Sequence, residues 1–205
     1  IIGPAIGGIL YALDPEVVYS IAGILTLATS VIILFVSIRE GSPKSGSITR
    51  NAIFGGIAFI RSKPAILGAI SLDLFAVLFG GATALLPVYA SNILNIGAMG
   101  LGLLRSAPAV GALIMSAILA RKPLKKNEGL KMFIAVIFFG IFTIVFAVST
   151  SFVVSLASLV LLGASDVVSV VVRLTLIQLQ TPDNMRGRVN AVNSMFIGTS
   201  NQLGE

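Results

Sequence analysis

Four charged side chains stand inside apolar runs of this sequence: Asp73, Arg105, Asp166 and Arg173. A charge within a hydrocarbon-spanning helix costs several kcal/mol unless it faces protein, water or a partner. A carboxylate screened from water binds a proton more readily than a solvated one, so Asp73 and Asp166 are the candidates for proton exchange near neutral pH. Arg105 is the expected partner of Asp73, on the next span. Asp166 and Arg173 are seven residues apart, two helical turns, so they line one wall without forming a tight pair. Arg173 also lies near the end of its run, where a long side chain can reach the interface instead. The chain has no histidine and no cysteine. Imidazole acid–base chemistry, thiolate metal sites and disulfide scaffolds are therefore excluded for these residues, and no cofactor or metal is expected.

These groups matter only if the runs around them cross a membrane. Apolar residues make up 56% of the chain and charged residues 11%, against about a quarter charged in a soluble domain. The composition is that of an all-α integral membrane protein whose first partner is the lipid bilayer. A net charge of +6 does not point to nucleic acid, because the basic residues sit in short loops between apolar spans.

The chain opens on Ile1 and stops at Glu205 inside another apolar segment, so we expect a piece of a longer polypeptide. Ile1 to Leu13 reads as the tail of a helix; it has neither the basic start nor the small-residue cleavage pattern of a signal peptide. Val17 to Ile38 is uncharged and long enough to span. Gly41-Ser42-Pro43 opens a flexible loop. Ile53, Ile57 and Ile60 then recur at helical spacing with Arg50 and Arg61 on another face, the pattern of a helix in the membrane interface. Pro64 to about Tyr89 is the next span, followed by an uncharged loop, 90–98. Met99 to Ala120 follows, then the polar loop 121–131. The uncharged run Met132 to Ser165 is too long for one span and turns at Ser149-Thr150-Ser151. The helix after that turn carries Asp166 and Arg173, and a final helix starts near Asn190. There Asn190, Ser194 and Asn201 share a polar face, while Phe138, Phe139, Phe142 and Phe146 read as lipid-facing or core residues.

Alternating the loops puts 39–63, 121–131 and 178–188 on one side. Twelve of the fourteen Lys and Arg residues lie in those three loops, and none lies in the loops of the other side. By the positive-inside rule the basic side is cytoplasmic. Counted from it at ~1.5 Å per residue, Asp73 lies ~13 Å deep and Asp166 ~18 Å deep. Neither short side chain reaches water from there, so each faces a cavity or a partner.

Two motifs narrow the class. Gly3-Pro4-Ala5-Ile6-Gly7-Gly8 resembles the G-P-x-x-G-G signature on the fifth helix of major facilitator superfamily exporters. The turn Thr181-Pro182-Asp183-Asn184-Met185-Arg186-Gly187-Arg188-Val189 resembles that superfamily's loop between helices ten and eleven. Leu85-Leu86-Pro87-Val88-Tyr89 and the run from Gly100 to Leu113 are similar to its secretion-effector branch, which includes enterobactin exporters and macrolide-efflux-type proteins. The resemblance implies a partial helical bundle, mainly the C-terminal six-helix half. Residues 1–38 would end the N-terminal half, 39–63 would form the cytoplasmic loop between the halves, and 64–205 would hold helices seven to ten and the start of eleven. It further implies a seam tied to antiport at Gly3, Pro4, Gly7 and Gly8, for which small-residue packing is the alternative. At Asp183, Arg186, Gly187 and Arg188 it implies a cytoplasmic gate. A solvated topogenic turn is the alternative there, with Asp183 capping the following helix.

The resulting expectation is a proton-coupled exporter of an amphipathic small molecule in the inner membrane, working by alternating access about a midplane site. Its other partners would be protons and the remaining N-terminal half. A proton-linked importer of the same fold and a non-transporting scaffold are the alternatives. A membrane enzyme is disfavoured, because no nucleophile–base pair or metal-ligand set is present.

Overall fold

Two of the helices start where the sequence supplies visible chemistry for it, an Asp cap at one and a proline at the other. The computed structural model describes residues 10, 14–35, 50–79, 84–122 and 127–204. The helix α1 (Pro15–Leu34) begins behind Asp14, whose carboxylate accepts a hydrogen bond from the Glu16 amide at 2.9 Å. That bond satisfies one of the donors a helix start leaves open. Next come α2 (Arg50–Ser62) and α3 (Pro64–Phe79). Pro64 opens α3, where its missing N–H has no partner to lose. A short turn, α4 (Leu86–Val88), runs into a π-helical turn at Tyr89–Ile93. The long helices α5 (Ala98–Arg121), α6 (Glu128–Val148) and α7 (Phe152–Gln180) follow, and α8 (Asp183–Gly204) closes the series. Among the described residues every regular element is helical, so the fold is the expected all-α one.

Among the described residues four helical segments are long and apolar enough to cross a membrane: Glu16–Leu34, Ala98–Arg121, Glu128–Val148 and Phe152–Gln180. The expected span from Pro64 to Tyr89 is helical over Pro64–Phe79 and again from Leu86, and residues 80–83 lie outside the described residues. The expected loop 90–98 is also partly helical, because the π turn carries the chain to Ile93 before Asn95 breaks it with a left-handed φ of 51°.

Two apolar clusters mark opposite ends of the bundle. At one end Ile60, Ile66, Ile70, Ile177, Val189 and Val192 pack together, which brings the turn at Lys63 and the turn at Thr181 side by side. At the other, Leu86, Tyr89, Ala90, Leu104, Ala107, Phe146 and Leu159 form the core. The Tyr89 hydroxyl there donates into the last carbonyls of α6, 2.9 Å from that of Phe146 and also against that of Ser149. Carbonyls at a helix C-terminus have no intrahelical donor, so one phenol ties the π turn to the α6–α7 turn. Phe146 is thus core rather than lipid-facing, whereas Phe138 is exposed and stacks on Phe142.

Between these ends α7 is the central helix, packed against α3, α5, α6 and α8. Its crossing with α5 brings backbone onto backbone. A Cβ on Gly111 would run into the Val160 carbonyl, and one on Gly163 into the Pro108 carbonyl. Lipid tails are as apolar as leucine, so close approach at small residues, not water exclusion, holds such helices together. The apolar row Phe133, Ile137, Ile141 and Ile144 on α6 faces outward, and α1 is exposed along almost its whole length. Those surfaces suit a hydrocarbon surrounding.

The apolar stripe of α2 does not serve only a membrane interface. Ile60 is buried and Ile57 packs beside it against Val189 and Val192 of α8. Gly56 permits this approach, because a Cβ there would meet the Arg188 carbonyl at 3.0 Å and the Val192 side chain at 2.9 Å.

Candidate functional site

Asp73 points from α3 into the seam with α7. It forms a salt bridge with Arg173 and accepts a hydrogen bond from the Ser169 hydroxyl at 2.9 Å. Asp73 is 5% exposed, Arg173 3% and Ser169 3%, so the three polar groups are enclosed by protein. Ser169 and Arg173 are one turn apart on α7, which places hydroxyl and guanidinium on the same face. Ala69, Val172 and Met132 pack together beside the seam, Ala69 one turn nearer the basic end than Asp73. Next to Asp73, the Leu74 carbonyl accepts from Ser200 of α8 at 2.8 Å. A fixed positive group opposite a carboxylate makes a neutral unit, the form in which two charges can persist away from water.

This arrangement corrects the expected Asp73–Arg105 pair. Arg105 lies on α5, which packs chiefly against α7, and its side chain is exposed. Among the described contacts α3 and α5 are not paired, and α3 instead meets α2, α6, α7 and α8. The interfacial alternative for Arg173 is corrected as well. Its helix continues to Gln180, which sets the residue about 12 Å from the turn at Thr181, and the guanidinium turns inward.

Asp166 has a different environment. It is half-buried on α7, and no hydrogen-bond or ion-pair partner meets its carboxylate among the described residues. It shares α7 with Arg173 without touching it, as the spacing predicts. Asn190, Ser194 and Asn201 are exposed on α8, while Asn193 and Ser200 are buried. The polar residues that enter the seam are therefore a different set from the expected stripe.

Asp183, Arg186, Gly187 and Arg188 form the opening turns of α8 rather than a loop. Pro182 supplies the break, since proline cannot continue α7. Asp183 and Arg186 pair at 2.8 Å but are largely exposed, and Arg186 donates to the Gln178 carbonyl at 3.2 Å. The acid sits in the first turn of α8, where the helix dipole favours it. Gly3, Pro4, Gly7 and Gly8 lie outside the described residues. Among those described, no group of three or more carboxylates or other metal-ligating side chains gathers.

The model of the Major Facilitator Superfamily matches residues 1–204. The chain belongs to that superfamily. Among curated proteins this superfamily member is similar to the enterobactin exporter EntS of Escherichia coli O1:K1 / APEC and of Escherichia coli O139:H28 (strain E24377A / ETEC). Each is 24% identical over 193 residues, which are 94% of this chain and 46% of the relative. EntS of Shigella boydii serotype 18 (strain CDC 3083-94 / BS512) matches to the same extent. The chain spans about half the length of the curated relatives it matches. No solved structure matches it.

Ser169 was missed at the sequence level, although it stands four residues before Arg173 on the face that any partner of Arg173 must approach. The sequence does not single out Asn193, and it places Tyr89 and Thr181 in motifs without showing that they are buried. Their hydroxyl and amide groups give no periodic signal, and only the packing reveals that they are enclosed.

Proposed function

We propose that this chain is the C-terminal-half portion of a proton-coupled exporter of an amphipathic small molecule in the cytoplasmic membrane. Residues 1–38 end the N-terminal half and residues 39–63 link the two halves on the cytoplasmic side. The observation that carries this reading is the enclosed Asp73–Arg173–Ser169 unit between α3 and α7. A bundle that only held its shape would be served as well by apolar packing at that seam, because a buried pair contributes little net stability. A transporter has a use for it. A proton on Asp73 removes the negative charge that holds Arg173, and the freed guanidinium then favours a different packing of α3 against α7. Asp166, half-buried and unpartnered on the same helix, supplies a second carboxylate along the pathway, as intramembrane acids do in proton-driven carriers. The similarity to enterobactin exporters supports outward transport, with a siderophore or a macrolide-type drug as the substrate class. The basic loops 39–63, 121–131 and 178–188 then face the cytoplasm.

The test uses the full-length protein in cells loaded with enterobactin or a macrolide. Collapse of the proton gradient raises the retained compound if the protein exports and lowers it if the protein imports. Retention that ignores the gradient in cells with and without the protein defeats the proposal.

A further inference from the structure

Three buried polar atoms find no protein partner among the described residues: Nε of Arg173, Oδ1 of Asn193 and Oγ1 of Thr181. Each parent residue is 3% exposed. Buried polar groups are paired as a rule, and those without a protein partner are met by ordered water. These three are not scattered. Thr181 caps α7 beside the turn into α8. Counted from that turn, Arg173 stands ~12 Å up α7, and Asp73 stands ~13 Å up α3 from Pro64. Three helices that touch one another thus set Asp73 and Arg173 at one level, with Thr181 at the basic end. Asn193 lies at least one turn nearer that end than the pair, because Ser200, seven residues beyond Asn193, bonds the Leu74 carbonyl. The stripe of α8 that carries Asn193 faces α3, because Ser200 further along it bonds the Leu74 carbonyl at 2.8 Å.

We infer that the α3–α7–α8 junction holds a file of water molecules running from the Thr181 turn past Asn193 to the Asp73–Arg173 pair. Water is the ligand that fits. It donates to the amide oxygen of Asn193, accepts from Nε of Arg173 and does either at the threonine hydroxyl. The cluster of Ile177, Val189 and Val192 beside it gives water no other polar contact, which confines the file to the seam. Its use would be to carry protons between the cytoplasmic side and the Asp73 carboxylate. The charged groups on the surrounding helices do not block it. Arg61 of α2, Glu128 and Lys131 of α6 and Asp183, Arg186 and Arg188 of α8 lie at their helix ends, and Asp166 lies farther along α7. The role as a proton path rests on the proton-coupled reading above, whereas the water file itself does not.

The described sequence has no cysteine, so single cysteines in a full-length protein freed of any others report on hydration directly. Asn193→Cys is compared with Val192→Cys, its buried apolar neighbour, using a small membrane-impermeant methanethiosulfonate reagent applied from the cytoplasmic face. The expected result is labelling at Asn193→Cys and none at Val192→Cys. No labelling at Asn193→Cys, or equal labelling of both in folded protein, overturns the file. Thr181→Cys is the second variant, and it must label if the path opens at the turn. Gradient-driven flux of Asn193→Leu, measured separately, tests the proton role. Labelling with unchanged flux removes that role and leaves the water site standing.

Discussion

Arg173 of α7 turns away from the nearby helix end and closes on Asp73 of α3, with Ser169 holding the second carboxylate oxygen. The pair sits between an apolar cluster at the basic end and a tyrosine-anchored core at the other. A charge left alone at that level would be buried without its counter-ion, so the two residues act as one unit.

Breaking the unit from either side should therefore be worse than removing it. Asp73→Asn and Arg173→Met are each expected to destabilise the folded protein by about 3–5 kcal/mol, and the double variant by clearly less than the sum. Unfolding of the purified full-length protein in detergent measures this. Additive losses would show that the two charges are independent.

The α5–α7 crossing should tolerate no added side chain. Gly111→Leu and Gly163→Leu place carbon atoms on backbone carbonyls, and the expected result is loss of folded protein from the membrane. Gly68→Ala and Gly140→Ala meet nothing within 4 Å and should be neutral or stabilising, by at most about 1 kcal/mol. Expression and thermal unfolding of the four variants separate the two cases.

Much of this was legible in the sequence, and the errors have a common cause. The spans, the turn at Ser149–Ser151 and the likeness of both ends of the chain to one superfamily follow from apolar run lengths and local motifs. Which helix lies beside which does not. Chain order points to Arg105 for Asp73 because its span comes next, yet α5 packs on α7. The correct partner could have been found from depth alone, since Asp73 and Arg173 stand ~13 and ~12 Å from the same end. Treating Gln178 as the helix end made Arg173 look shallow and hid the match. The stretch from Thr181 through Arg188 looks like a loop for a similar reason, because its charged residues are the solvated first turns of α8.

Tyr89→Phe removes the one donor shared by the terminal carbonyls of α6. We expect a loss of about 1 kcal/mol, the net worth of an ordinary hydrogen bond, seen as a lower unfolding temperature with the fold intact. An unchanged unfolding temperature would mean that the π turn is held by the ring contact with Phe146 alone.

Asp183→Ala cuts an exposed pair, so stability should stay within about 0.5 kcal/mol of the parent. A larger loss in thermal unfolding would show that the start of α8 is held by that charge and not by the packing of Val189 and Val192.

The most direct test of the account is flux through the full-length protein in proteoliposomes with an imposed pH gradient, parent against Asp73→Asn, with enterobactin or a macrolide as the probe. The parent should move the probe in proportion to the gradient, and Asp73→Asn should still bind it but show flux that no longer responds to the gradient. Undiminished gradient-driven flux in Asp73→Asn, with the protein folded and reconstituted to the same level, would contradict the account.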